Sequence, residues 1–237
     1  MLRIVCASAN AHKVAEMKRM MRDGVDLLPR PHDLSEIDET APTLEGNAII
    51  KAVEVANFCS QWALADDTGL EVDALHGAPG VHSARFASDN ATDSENRQLL
   101  LSKMADEEVR SARFRTVVAL VSSKGDMHFV SGVCEGVIAR AESGVNGFGY
   151  DSVFIPSAGD GRTFAEMSDV EKDVLSHRGK AFAQLPELLA RVLAYQPRRS
   201  IGHTAIISPN ELATNASSCN AMVGSMCDGA TNALSPT

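Results

Sequence analysis

The apolar run Trp62-Ala63-Leu64-Ala65 ends at two adjacent acids, Asp66 and Asp67, and a hydroxyl and a glycine follow at once in Thr68 and Gly69. Few arrangements tolerate that order. So short an apolar run reads as a buried strand, and the polar residues and glycine after it read as the strand's end. Adjacent carboxylates at the edge of a sheet repel each other unless a proton or a cation lies between them. The sheet edge is also where ligands of α/β proteins bind. These residues therefore predict an α/β fold with a divalent cation at the end of a central strand, and hard oxygen ligands suit magnesium. The bland alternative is that the two aspartates only cap the strand.

The 237 residues are 44% hydrophobic and 22% charged, an ordinary globular balance. A formal net charge of -9 argues against general affinity for nucleic acid or for an anionic membrane, both of which need a basic surface. A small anionic substrate remains open if local cations and a metal neutralise it. No apolar run approaches the roughly 18 residues of a membrane-spanning helix. Met1 to Cys6 is too short for the apolar part of a signal peptide and reads as a strand. The five cysteines, Cys6, Cys59, Cys134, Cys219 and Cys227, form no CxxC and are odd in number, as free thiols in a reducing cytoplasm would be. After Pro197 the chain turns rich in Ser, Ala, Asn, Thr and Gly with no sustained periodicity. This predicts one domain over residues 1–196 and a disordered or appended tail over 197–237.

Along the domain, Leu2 to Ala7 predicts a central strand. Residues 11–22 predict a helix capped by Asn10, because Val14, Met17, Lys18 and Met21 recur at helical spacing. Strand, loop and helix start leave free backbone N–H groups, a natural anion site. Lys13 in the first turn opposes the helix dipole, so it reads either as a phosphate ligand or as a solvated lysine. Val25 to Leu28 predicts a second strand and residues 29–42 an exposed loop. Residues 43–60 predict a helix with Glu45, Asn47 and Lys51 in its first turns. Glu45 would share a metal with Asp66 and Asp67 if that helix start faces the strand end. Gly69 to Leu75 predicts a separate strand. Thr92-Asp93-Ser94-Glu95 is a capping box that opens a helix to about Met104. Runs 112–123 and 127–140 around Lys124-Gly125-Asp126 predict a hairpin, and Val153 to Ile155 a short strand. A second capping box, Ser168 to Glu171, precedes a helix over 181–195.

Polar residues gather at the predicted ends of elements: Asn10, Lys13, Glu45, Lys51, Asp66, Asp67, Asp151, Lys172, His177 and Arg178. Acids for a metal beside cations for phosphate suit metal-assisted phosphoryl chemistry. No Walker loop, GxGxxG, HExxH or GxSxG is present, and neither Cys nor His spacing suggests zinc. Gly147-Phe148-Gly149-Tyr150 reads either as a tight turn or as a platform that stacks a base on Phe148.

The order and spacing of the motifs resemble the inosine triphosphate pyrophosphatase family from Ile4 to about Leu193. They are Ala7-Ser8-Ala9-Asn10 with Lys13, Glu45-Gly46-Asn47-Ala48 with Lys51-Ala52, and Ala65 to Leu70. Gly77 to Val81, Ser83-Ala84-Arg85, Gly147 to Asp151, Thr163 to Glu166, Glu171-Lys172 and Ser176 to Gly179 complete the set. The resemblance implies an α/β fold with a long mixed central sheet and flanking helices, two lobes around a nucleotide cleft, and a homodimer. It implies a magnesium-dependent enzyme that hydrolyses deaminated purine nucleoside triphosphates (ITP, dITP, XTP) to the monophosphate and pyrophosphate. Asp67 would be catalytic base and metal ligand, with Glu45 and Asp66 helping to hold the metal. The loop Ser8, Ala9, Asn10, Ala11, His12, Lys13 would hold the triphosphate, and Lys51 and Lys172 would add charge. Thr68, the loop Phe148, Gly149, Tyr150, Asp151 and the pair His177, Arg178 would bind the nucleotide and read its base. One departure stands out: the family usually has Thr-Gly where this chain has Ser8-Ala9, and alanine does not take positive φ cheaply. Two other readings remain: a related pyrophosphatase for another modified or a pyrimidine nucleotide, and a nucleotide-binding module without catalysis.

Overall fold

The computed structural model describes residues 2–194, without the side chain of Leu193, so the predictions for the tail lie outside the described residues. The strands are β1 (Leu2–Cys6), β2 (Val25–Leu28), β3 (Trp62–Val72), β4 (Pro79–Gly80), β5 (Ser111–Val121), β6 (Met127–Ile138) and β7 (Phe154–Pro156). The helices are α1 (Ala11–Met20), α2 (Leu44–Cys59), α3 (Asp93–Lys103), α4 (Asp169–Leu175), α5 (His177–Phe182) and α6 (Leu185–Ala194). One mixed sheet runs β2-β1-β3-β5-β6-β7, and β4 pairs with β3 off that path. β1 lies parallel to β2 and β3, and the other pairings are antiparallel. This is the predicted long mixed sheet. Among the described residues no helix is long and apolar enough to cross a membrane.

Two predictions need correction. The acids do not end a strand. Trp62 to Val72 is one continuous strand, and Asp66 and Asp67 pair in mid-strand with Val118 and Val117 of β5. What ends beside them is β1, whose last partner is Leu64. The runs 62–65 and 69–75 read as separate strands because two acids and a glycine interrupt them, yet a neighbour's backbone can carry a strand through polar residues. Gly69 is needed for closeness rather than for a turn: a Cβ there would lie 2.7 Å from the Gly80 carbonyl oxygen of β4. The second correction is at the C-terminal helix, which breaks into α5 and α6. Pro186 is tolerated only in a helix's first turn, so the helix restarts at Leu185.

Three apolar cores divide the sheet. Alternate side chains of a strand face opposite sides. Leu64 therefore joins Ile4, Met17, Val118, Phe182 and Leu188 on the face covered by α1, α5 and α6. Ala63 and Ala65 join Ala48, Ala52, Val55 and Val117 on the face covered by α2, where small residues let the helix lie close. Further along, Leu70 and Val72 enter a third core with Leu100, Phe114, Ile138, Tyr150, Phe154 and Phe164. The stretch Asp66–Gly69 is where β3 passes from the first two cores to the third.

Candidate active site

The site begins where β1 stops. The Ala7 N–H still donates to the Leu64 carbonyl at 2.8 Å, and the chain then turns into α1. Asn10 caps that helix, its side chain accepting from the N–H groups of His12 and Lys13 at 3.0 and 3.1 Å. The Asn10 N–H in turn donates to Ser8 Oγ at 3.3 Å. The helix start is thus less open to an anion than its spacing predicts, because the cap already uses two of its donors. Ala9 causes no difficulty. Among the described non-glycine residues only Ser60 and His76 have positive φ, so the loop does not call on a left-handed residue at that position.

Period two also separates the two aspartates, one to each face of the sheet. Asp66, fully buried, meets Lys13 of α1 at 3.4 Å and Arg178 of α5 at 3.0 Å. Thr68 Oγ1 donates to it at 3.2 Å and accepts from Arg178 at 3.1 Å, and Thr68 shares a further hydrogen bond with Thr116 at 2.5 Å. Asp67 meets the α2 side, where Lys51 donates to Oδ1 at 2.9 Å and Asn47 to Oδ2 at 3.4 Å. Each acid therefore has its own cations, and no single ion between them is required for them to coexist. Their acidities diverge. Burial would raise both. At Asp66 the charges of Lys13, Arg178 and Lys51 overcome it and hold the carboxyl well below the usual carboxylate range. At Asp67 burial outweighs Lys51 and Lys13, so its carboxyl is raised and more basic than a free aspartate.

The third acid differs from the expectation. Glu45 sits in the first turn of α2, where the helix dipole favours it, and pairs with Arg115 of β5. Glu39, from the loop before α2, instead meets Lys51 at 2.7 Å, so one ammonium group bridges Glu39 and Asp67. Among the described residues no cluster of three or more His, Cys, Asp or Glu side chains has metal-binding geometry. The donor chemistry nevertheless fits a hard divalent cation. Two carboxylates, Glu39 and Asp67, already converge on the one positive charge of Lys51.

A second group of buried charges lies against α1. Lys172 of α4 donates to Glu16 at 2.7 Å and to Asp151 at 2.6 Å, and Arg178 joins the same Glu16. Burial resists the ionisation of Glu16, but Arg178 and Lys172 overcome it and lower its pKa, whereas at Asp151 burial wins and the pKa rises. Phe148 closes over this group, with Lys172 Nζ 4.8 Å from its ring centre and the His12 ring stacked on it at 5.3 Å. The Phe148 N–H donates to Asp151 at 2.8 Å. His177 stacks on Phe114 at 4.6 Å, and burial together with the adjacent Arg178 and Lys172 charges lowers its pKa well below the usual value. Its ring therefore favours the neutral form, and among the described residues its buried Nδ1 has no partner. Tyr150 turns into the third core and donates to the Ser83 carbonyl at 2.9 Å, so it acts as packing for the loop.

With this geometry, the model of the Ham1 family matches residues 4–188. The chain belongs to the Ham1 family. A dITP/XTP pyrophosphatase of Christiangramia forsetii is 42% identical over 193 residues, spanning 80% of this chain and all of that protein. A dITP/XTP pyrophosphatase of Coxiella burnetii is 45% identical over 196 residues, 80% of this chain and 97% of that one. The solved HAM1 protein from Coxiella burnetii superposes with a TM-score of 0.74 at 44% identity, covering 81% of this chain and all of that one.

In this Ham1 chain four charged or hydrogen-bonding residues of the site escaped the sequence reading: Glu16, Glu39, Asn47 as a partner of Asp67, and Thr116. Glu16 was hidden by its helix, since a lone acid in an amphipathic helix reads as surface. Glu39 lies in a loop with Glu36 and Asp38, and nothing local distinguishes it from them.

Proposed function

We propose that this chain hydrolyses deaminated purine nucleoside triphosphates to the monophosphate and pyrophosphate, as the names of its relatives suggest for them. The observation that carries the reading is the division of roles on β3. Lys13 and Arg178 hold the Asp66 carboxyl well below the usual carboxylate range, while burial raises the pKa of its neighbour Asp67, which shares Lys51 with Glu39. Two adjacent carboxylates pushed apart in acidity are a signature of acid–base chemistry. Asp67 would orient and deprotonate the attacking water. Lys13, Lys51 and Lys172 would meet the charge on the phosphates and on the departing pyrophosphate. Phe148 would stack on the base, and the neutral His177 with Arg178 would meet its 6-oxo edge. A 6-amino group there would leave buried donors facing a donor, a penalty that rejects ATP.

A divalent metal, magnesium by donor type, would be held by Asp67 and Glu39, with Asp66 behind them. When bound, it would offset the triphosphate's charge. The charge inventory supports this need. The cations Lys13, Lys51, Lys172 and Arg178 are already matched by Glu16, Glu39, Asp66, Asp67 and Asp151. Among the described residues such a site has no spare positive charge for an anion of its own. On this reading Glu39, which shares Lys51 with Asp67, would help hold the metal in place of Glu45, which pairs with Arg115. A homodimer is supported by the exposed apolar side chains Met127, Phe129, Val133 and Val137, which alternate along one face of β6.

The test is pyrophosphate release from ITP, dITP, XTP, dUTP, GTP and ATP, with magnesium and with chelator. Turnover confined to the 6-oxo deaminated purines and lost on chelation is expected. A preference for dUTP would point to the pyrimidine reading. ITP binding without turnover would point to the binding module.

A further inference from the structure

The loop that carries Phe148 is anchored at both ends: the Val145 and Asn146 N–H groups donate to the Ala165 carbonyl at 3.1 and 3.0 Å, and the Phe148 N–H donates to Asp151 at 2.8 Å. Gly147 and Gly149 both lie at positive φ, 73° and 59°, where glycine moves freely, and Val145 before them is almost wholly exposed. Both polar groups of Gly149 are nevertheless held, and from outside the charged cluster. Its N–H donates to Asp93 Oδ2 at 2.7 Å, and its carbonyl accepts from Arg97 Nη1 at 2.8 Å. Asp93 and Arg97 are four residues apart on α3 and so share one face of it. Arg97 is itself locked, because its Nε donates to Glu142 at 2.7 Å, and Ser152 donates to the same carboxylate at 2.9 Å. α3 is a firm support. Its start carries a complete capping box, and buried Asn96 ties it to the Ala84 carbonyl at 3.0 Å and to the Ala87 N–H at 2.8 Å.

We propose that Asp93 and Arg97 are positioning residues for nucleotide binding: they clamp the Gly149 peptide and so hold Phe148 in the pose that stacks on the base. This rests on the reading that Phe148 is the base platform. The clamp touches neither substrate nor reacting atoms. It removes the freedom that the two positive-φ glycines leave at Phe148 before the nucleotide arrives, so that ordering cost is not charged to binding. Its loss weakens ground state and transition state alike, which raises KM and spares kcat.

The experiment is steady-state hydrolysis of ITP with magnesium by the full chain. In the double variant Asp93→Ala/Arg97→Met, KM rises about tenfold while kcat changes by less than about threefold. Asp93→Asn and Arg97→Lys keep an acceptor and a donor, and each restores KM to near the parental value. Asp93→Ala alone leaves the Arg97–Glu142 pair intact and shows a smaller rise, which keeps the test open if the double variant does not fold. In a Phe148→Ala background the double substitution adds nothing further to KM. A parental KM in the clamp variants, an equal rise in both backgrounds, or a fall in kcat at unchanged KM overturns the proposal. If Phe148→Ala itself leaves KM unchanged, the base-platform reading falls and takes the clamp with it. A raised KM in Phe148→Ala beside a parental KM in the clamp variants overturns the clamp alone.

Discussion

One peptide unit along the backbone separates an acid whose pKa is held down from one whose pKa is raised. Asp66 and Asp67 differ only in the face of β3 they point to and the cations waiting there. If Asp67 is the base, Asp67→Asn lowers turnover by about 10²–10⁴-fold, the usual share of a general base. The acid limb of kcat/KM should lie above the roughly 3.9 of a free aspartate and vanish in the variant. The sign for stability runs the other way. A carboxyl whose folded pKa is raised contributes stability below its unfolded pKa and loses it as pH rises through the folded value. At neutral pH Asp67→Asn should therefore unfold no earlier than the parent in a thermal melt, and an earlier melt would mean that the Lys51 pairing matters more than the burial. The acids proposed to hold the metal give a second residue-level test. Glu39→Gln should raise the magnesium concentration for half-maximal turnover by about tenfold or more, while Glu45→Gln should leave it unchanged. The reverse result would return Glu45 to the site. The sequence made both aspartates legible, since an acid pair after an apolar run is rare. It left Glu39 illegible, because which loop acid meets Lys51 depends on how residues 29–42 fold back over α2.

At the scale of elements, local signals were read well and junctions less well. The capping boxes at Thr92 and Ser168 and the hairpin at Lys124–Asp126 need only nearby residues, and each stands as predicted. β3 was cut in two because its continuity is supplied by β5, about fifty residues away in the chain. The Asn10 cap was predicted, but its consequence was not, since capping and anion binding draw on the same N–H groups. Asn10→Ala should cost about 1 kcal/mol, read as an earlier urea midpoint with unchanged slope. An unchanged midpoint would mean that water satisfies His12 and Lys13 N–H equally well.

For the molecule as a whole, the family match stops at residue 188, and the Christiangramia forsetii relative is spanned completely by 80% of this chain. Removing residues 198–237 should then leave kcat/KM for ITP unchanged. A loss of activity on truncation would show that the segment supports the rest. Most of the fold class could be read from strand and helix periodicity together with the order of motifs. The three-core division could not, because it depends on where β1 stops relative to β3.

The balanced charges of the free site have a kinetic consequence. Lys13, Lys51, Lys172 and Arg178 are all paired with carboxylates; if they are the phosphate ligands proposed above, substrate entry would be an exchange of partners and product departure the same exchange in reverse. Each carboxylate stands ready to reclaim its cation as soon as the pyrophosphate loosens. On that reading the protein would carry its own competitor for the product, tethered at a high local concentration. Inhibition by added pyrophosphate should accordingly be weak, and should deepen when the tethered competitor at Glu39 is neutralised.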